Sequence, residues 1–135
     1  ISIPEFHLYD RDVGSYADAV QEVIARGGRD SARQTKKREL ENYLHPDAIT
    51  RVLAPQAGKL GALQFGDDDD VEKVVASAMP DQQGNPRKKL ARRALKHWLN
   101  HDVAAVMTVD EFEARDMTGE IKSWLTEISR IARGN

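Results

Sequence analysis

The chain has 135 residues, a length that suits one domain with a buried core and is short for two. Hydrophobic residues make up 40% and charged residues 31%, which argues against a disordered chain, and no apolar run approaches the roughly 20 residues that span a bilayer. Cysteine is absent, which excludes disulfides and thiolate metal sites, and the net charge of −2 indicates no particular partner. We therefore expect a cytoplasmic protein with no membrane association.

The first predicted element is a strand that ends in two carboxylates. Apolar Phe6 and Leu8 alternate with other residues, as in a short strand, and Asp10 and Asp12 follow at its carboxyl end. Side chains two residues apart in an extended segment point the same way, so both carboxylates can reach one hard cation. The alternative is a strand-to-loop turn whose carboxylates cap backbone donors.

A helix and a second extended segment are predicted next. Ser15 has the chemistry of an N-cap, apolar residues follow at helical spacing, and Gly27 supplies the stop. Residues 31–40 alternate weakly and are predicted to form a second strand or an extended connection. Strand, helix and strand in this order favour a crossover that brings both strand ends to one sheet edge.

A second acidic pair follows the second extended segment. Glu39 and Glu41 are again one residue apart, a helical turn is expected near Glu41, and Pro46 suits the start of a helix over residues 47–54. The four aspartates at 67–70 precede another helix, where the helix dipole favours carboxylates, so they are interpreted as a cap.

The remaining sequence predicts three more helices. Residues 87–100 form an amphipathic helix with a cationic outer side, which suits a phosphate backbone but is also common on solvated surfaces. Thr108 and Glu111 form a capping box, and Thr118 is predicted to cap the last helix. The residues expected to face inward on the last two long helices are Ala91, Ala94, Leu95, Trp98, Leu99, Ile121, Trp124, Leu125, Ile128 and Ile131.

The two acidic pairs together suggest a metal site. Clustered carboxylates repel one another unless cations neutralise them, and oxygen donors suit Mg²⁺ or Mn²⁺. Two such ions would activate water and stabilise the leaving oxygen in phosphodiester cleavage.

The segments Leu8-Tyr9-Asp10-Arg11-Asp12 and Lys37-Arg38-Glu39-Leu40-Glu41-Asn42-Tyr43-Leu44 resemble the toprim nuclease domain of the overcoming-lysogenization-defect (OLD) family. The resemblance implies an α/β fold in which residues 1–44 form the carboxyl part of a toprim sheet and residues 45–135 form a mostly α-helical tail of the same domain. It also implies a metal-dependent DNA endonuclease, coupled to an ABC-type ATPase domain in the same or a partner chain, that acts in defence against phage. A homo-oligomer is expected.

The resemblance assigns roles to individual residues. Asp10 and Asp12 match the toprim D-x-D pair, and Glu39 or Glu41 matches the second of two metal sites, for two Mg²⁺ or Mn²⁺ ions. Lys89, or Lys88 beside it, matches the lysine that assists catalysis.

One toprim motif has no counterpart in this chain. Toprim domains carry an earlier glutamate after their first strand, and nothing before Asp10 supplies it. We therefore expect an upstream segment, without which the nuclease is incomplete. Two alternatives stay open, a catalytically inert toprim-like module that binds nucleic acid or a partner, and a helical interaction domain in which the acidic pairs are surface residues.

Overall fold

The structure is a computed structural model that describes residues 3–57, 60–79 and 92–134. Its contacts divide the chain into two units, and the α/β class predicted from the sequence is confirmed. The terminal unit contains Ile1–Glu39 and Asp116–Asn135, and the central unit contains Leu40–Arg115. The predicted division after residue 44 stays a prediction, and in the structure the last helix groups with the first 39 residues.

The terminal unit is built on two parallel strands. Strand β1 (Phe6–Tyr9) pairs with β2 (Ser31–Gln34), and Phe6 lies opposite Ser31. Helix α1 (Tyr16–Arg26) connects them and ends at Gly27, whose φ of 69° is readily adopted only by glycine. The predicted strand, helix and second strand are therefore confirmed, although Ser15 makes no side-chain cap hydrogen bond.

Helices cover both faces of this small sheet. Residues in register share a face, so Tyr9 and Gln34 lie on one side, where Tyr9 packs on Tyr16 of α1 with ring centroids 5.2 Å apart. Ser31 and Arg33 lie on the other side, which faces the last helix. The result is a helix, sheet, helix arrangement, with Val23 and Ala32 at its buried centre.

The central unit is helical. Its elements, in chain order, are a 3₁₀ turn at Leu40–Tyr43, α2 (Pro46–Ala57), α3 (Val71–Ala78), α4 (Arg92–His97), a π-helical segment at Trp98–Val103, α5 (Ala104–Val106) and α6 (Val109–Arg115). Its core is formed by Leu44, Ile49, Leu53, Val71, Val75, Leu95, Leu99 and Val103. Burial of this apolar surface, rather than helix propensity, stabilises such short helices.

Two of the predicted helix caps are confirmed by side-chain hydrogen bonds. Asp70 caps α3 by accepting a 2.9 Å hydrogen bond from the Lys73 N–H, so the cap interpretation of the acidic run is confirmed. Thr108 and Glu111 exchange reciprocal hydrogen bonds of 3.2 Å, which confirms the capping box. The prediction for Thr118 is wrong.

The last helix, α7 (Glu120–Arg133), is capped from further upstream than the sequence suggested. Asp116 Oδ2 accepts hydrogen bonds from the N–H groups of Ile121 and Lys122, at 3.0 and 3.4 Å. Gly119, with φ of 71°, turns the chain between the aspartate and the helix. Because of this turn, the capping aspartate lies two residues further from the helix in sequence than Thr118, the residue expected from the usual spacing of a cap.

Two further expectations about helices need correction. The predicted helix end at Asn100 is wrong, because the helical path continues through the π-helical segment and α5 to Val106. On α7 only Trp124 and Ile131 of the predicted apolar side are buried, whereas Leu125 and Ile128 are exposed. Ala94 is exposed as well. Leu95 and Leu99 are buried as predicted, with Trp98 packed against the core.

Candidate metal and phosphate site

The first acidic pair lies directly after β1, in a loop held by backbone hydrogen bonds. The Asp12 N–H donates to the carbonyl oxygen of Arg38 at 3.1 Å, and the Arg11 N–H donates to the Thr35 hydroxyl at 3.1 Å. Both acceptors belong to the segment that leaves β2, so the carboxyl ends of the two strands are joined. This edge of a parallel sheet is where open α/β proteins bind ligands.

The carboxylate of Asp12 has a cationic neighbour in the same unit. Its Oδ2 lies 3.6 Å from Arg38 Nε, and the Asp12 side chain is 30% exposed. Asp10 is half-buried, and its carbonyl oxygen accepts a hydrogen bond of 3.4 Å from the Gln34 amide. A guanidinium beside an acidic loop offsets part of its negative charge and can also contact phosphate.

Glu39 follows Arg38 in the chain and belongs to the terminal unit with Asp10 and Asp12. Its side chain is buried, with the residue 6% exposed. A buried carboxylate requires compensating interactions, and Glu39 does have a polar or electrostatic partner. Because Glu39 follows Arg38 directly, the backbone bond between Asp12 and Arg38 brings the main chain at Glu39 close to the acidic loop.

Glu41 belongs to the central unit, where it is 1% exposed. Its Oε1 accepts a 2.7 Å hydrogen bond from the Asn100 amide and lies 3.6 Å from Lys96 Nζ. Its Oε2 is buried and has no hydrogen-bond partner within the described part of the chain. A cation and an amide therefore lie beside this carboxylate, and its assignment as a metal ligand stays a prediction.

Lys96 is a candidate residue that the sequence did not single out. Its ammonium lies between two carboxylates, 3.6 Å from Glu41 and 3.4 Å from Glu72. The signal was present in the helical spacing of Lys96 and Asn100, four residues apart and so on one face. Lys88 and Lys89, the lysines matched to the catalytic position, lie outside the described residues.

The acidic pairs supply carboxylate oxygens that could ligate a metal ion. Asp10 and Asp12 provide the oxygen donors that Mg²⁺ and Mn²⁺ prefer. However, across residues 3–57, 60–79 and 92–134 no three or more His, Asp or Glu side chains converge in an arrangement that could hold a metal ion. The coordination of one cation by Asp10 and Asp12 stays a prediction, and so does the assignment of Glu39 and Glu41 as further ligands.

Two carboxylates outside this site have strongly lowered pKa values. The hydrogen bond from Arg130, followed by that from Ser31, lowers the pKa of Glu127 to about 2, and this glutamate anchors α7 to β2. In the central unit, the hydrogen bonds from Arg51 lower the pKa of Glu111 to about 2. Arg51 lies on α2 and so links Glu111 to a neighbouring helix. Arg130 lies on α7 itself, and the contact with Ser31 links Glu127 to β2.

A half-buried arginine lines a cleft in the central unit. The guanidinium of Arg115 lies 4.8 Å from the centre of the Phe65 ring and donates a 2.7 Å hydrogen bond to the Asn42 carbonyl oxygen. Burial lowers the pKa of Arg115, although the nearby Asp67 charge opposes this. The ring contact holds the loop before α3 and the hydrogen bond holds the 3₁₀ turn, which gives Arg115 a structural role.

No helix among the described residues has the length and apolar character needed to cross a bilayer. No protein family, characterised protein or solved structure matches the chain.

Proposed function

We propose that this chain is the nuclease portion of a metal-dependent DNA endonuclease. The observation that carries the proposal is the acidic loop at the carboxyl end of β1, tied through Asp12 to the segment that leads into Glu39. Two carboxylates at i and i+2, at the edge of a parallel sheet, suit a hard cation that contacts phosphate. The toprim fold of the OLD family is the finer fold that we propose for the α/β arrangement.

In this proposal Asp10 and Asp12 hold the cation, with Glu39 or Glu41 completing a site for two Mg²⁺ or Mn²⁺ ions. When bound, such ions lower the pKa of water and neutralise charge on a phosphodiester. The contribution of the chain is to hold the acidic loop beside the end of β2, which is supported by the backbone hydrogen bonds from Asp12 to Arg38 and from Arg11 to Thr35. Arg38 lies at the same edge, and in this proposal its guanidinium contacts a phosphate oxygen.

A lysine is expected to stabilise the charge that develops on the cleaved phosphate. Lys88 and Lys89 are the residues matched to this role, and Lys96 is an additional candidate because it already lies beside buried Glu41. The comparison of Lys88→Ala, Lys89→Ala and Lys96→Ala separates these assignments. Replacement of the catalytic lysine should reduce cleavage without changing the affinity for DNA.

The same family resemblance supports the proposed partners. DNA is the substrate, an ABC-type ATPase domain in the same or a partner chain controls cleavage, and defence against phage is the biological setting. On α4, Arg93 is exposed and can contact the phosphate backbone. The competing function is a catalytically inert module that binds nucleic acid or a partner. The ion pair between Asp12 and Arg38 is compatible with this function as well.

A plasmid assay tests the proposal. The full-length protein is incubated with supercoiled DNA and Mg²⁺ or Mn²⁺. The Asp10→Asn and Asp12→Asn variants are assayed in the same way. The control variant is Asp18→Asn, in the first turn of α1. We expect nicked or linear DNA from the unchanged protein and the control, and loss of cleavage in the other two. Equal DNA binding by all four with no cleavage would instead support the inert module.

A further inference from the structure

Two histidines lie side by side on the surface of the central unit. His97 is the last residue of α4, and His101 lies four residues later in the π-helical segment, so the two are neighbours on one side of the helical run. Their ring centres are 5.3 Å apart, and the ring planes differ by only 8°. Both residues are exposed. Neither imidazole takes part in the proposed nuclease site.

The distance between the rings suits a single metal ion. Two imidazoles on one tetrahedral zinc, with Zn–N bonds of about 2.0–2.1 Å, have ring centres about 5 Å apart. Rotation about the terminal side-chain torsion, which is broad for histidine, then aims one nitrogen of each ring at the ion. Histidines four residues apart on a helix bind zinc in the H-E-x-x-H motif. Here Trp98 stands at the position of the catalytic glutamate, so the pair predicts metal binding and not proteolysis.

The next residue, Asp102, fixes the protonation of one ring. The Nδ1 atom of His101 lies 2.8 Å from Asp102 Oδ1. An ionised carboxylate only accepts hydrogen bonds, so Nδ1 carries the proton and the neutral ring presents a bare Nε2. A carboxylate on the far nitrogen commonly accompanies a metal-binding histidine, where it orients the ring and raises the basicity of the ligating nitrogen. Asp102 is therefore a positioning residue and not a ligand.

We propose that His97 and His101 together bind one transition-metal ion of the zinc class, through Nε2 of His101 and one ring nitrogen of His97. Imidazole suits Zn²⁺, Ni²⁺ and Cu²⁺, whereas Mg²⁺ and Mn²⁺ take oxygen donors. Among the residues that the structure describes, no third side chain joins the pair, so water completes the coordination. The site differs in chemistry from the one proposed at Asp10 and Asp12, and it does not depend on nuclease activity.

The ion joins two kinds of helix. His97 belongs to α4, and His101 belongs to the π-helical segment that ends at Val103. π-Helical turns are rare and occur frequently at functional sites. A ligand that binds only the folded state stabilises that state, so an ion held by both histidines favours the folded junction. Amide exchange over residues 97–103 should therefore slow when zinc is added.

Calorimetric titration of the full-length protein with Zn²⁺ tests the site. We expect zinc binding that excess Mg²⁺ does not block. The variants His97→Gln and His101→Gln should each weaken it by at least about tenfold, because the second imidazole binds in an intramolecular step. The control, His7→Gln, removes a histidine of the terminal unit and should bind zinc as the unchanged protein does. No zinc binding, or equal binding by all four proteins, would overturn the proposal.

Nitrogen NMR of the imidazole rings tests the individual atoms without relying on a variant. Zinc should shift the Nε2 resonance of His101 and one ring-nitrogen resonance of His97. The Asp102→Ala variant should weaken zinc binding about tenfold. It should also move the metal-free His101 ring toward the tautomer protonated at Nε2, which loss of a purely structural contact would not do. Zinc-bound protein in which the ring resonances of His97 and His101 do not move would show that the ion lies elsewhere, and the proposal would be wrong.

Discussion

The backbone N–H of Asp12 donates a 3.1 Å hydrogen bond to the carbonyl oxygen of Arg38, the residue immediately before Glu39. This bond joins the loop that follows β1 to the segment that follows β2. Acidic residues 27 positions apart in sequence, such as Asp12 and Glu39, thereby belong to neighbouring segments of one sheet edge. The proposed function rests on this relationship.

Glu41 should stabilise the central unit through its contacts with Asn100 and Lys96. We expect Glu41→Ala to lower the free energy of unfolding by about 1–3 kcal/mol, because it removes the acceptor for the Asn100 amide. Urea denaturation without metal measures this. The exposed Glu113→Ala in α6 is the control and should change stability little. A Glu41→Ala protein more stable than the unchanged one would mean that repulsion, not pairing, dominates there.

The stabilities of two variants show which of Asp116 and Thr118 caps α7. Asp116→Ala should destabilise the protein by about 1 kcal/mol, because two N–H groups of the first turn lose their acceptor. Thr118→Ala, at the position that the sequence suggested, should change stability little. Thermal or urea denaturation of the two variants gives the comparison. Equal losses of stability would contradict the assignment of Asp116 as the cap.

Stability should fall with acid partly because of Glu127. Its pKa is about 2 in the folded protein, below its usual 4.5, so its contribution is fully present above pH 4.5 and is lost as the pH falls to about 2. The stability difference between the unchanged protein and Glu127→Gln should therefore shrink over that interval. Arg130→Gln, which removes the main hydrogen-bond donor, should produce a similar loss of pH dependence. A difference that stays constant to pH 2 would contradict this pairing.

Much of the fold follows from local sequence signals, and the exceptions have physical causes. The β1, α1, β2 order, Asp70 as a cap and the Thr108–Glu111 box were predicted, because alternation and capping chemistry are local. The exposure of Leu125 and Ile128 was not, because helical periodicity identifies an apolar side but not how much of it a small sheet can cover.

The candidate site was predicted less completely than the fold. The sequence pattern located Asp10 and Asp12 just beyond a strand end, because the apolar alternation that marks the strand stops before them. The contacts of Glu41 with Lys96 and Asn100 join residues more than 50 positions apart. Such pairings depend on tertiary packing, which no local pattern in a single sequence encodes.

DNA binding should depend on the cationic side of α4. Replacement of Arg92 and Arg93 by glutamate should weaken binding and reduce its dependence on salt, because fewer counterions are released from the phosphate backbone. Fluorescence anisotropy with a labelled duplex over a salt series measures both effects. The matched control is Arg26→Glu, at the end of α1. An unchanged affinity and salt slope would remove α4 from the DNA-binding surface.

The most direct test of the metal site is a calorimetric titration with Mn²⁺. We expect binding by the unchanged protein, loss of at least one site in Asp10→Asn and in Asp12→Asn, and retention in Asp67→Asn, which lies in the acidic run before α3. The asparagine at position 12 keeps the backbone bond to Arg38, so only the carboxylate changes. Identical Mn²⁺ binding by the unchanged protein and both variants of the first acidic pair would contradict the account.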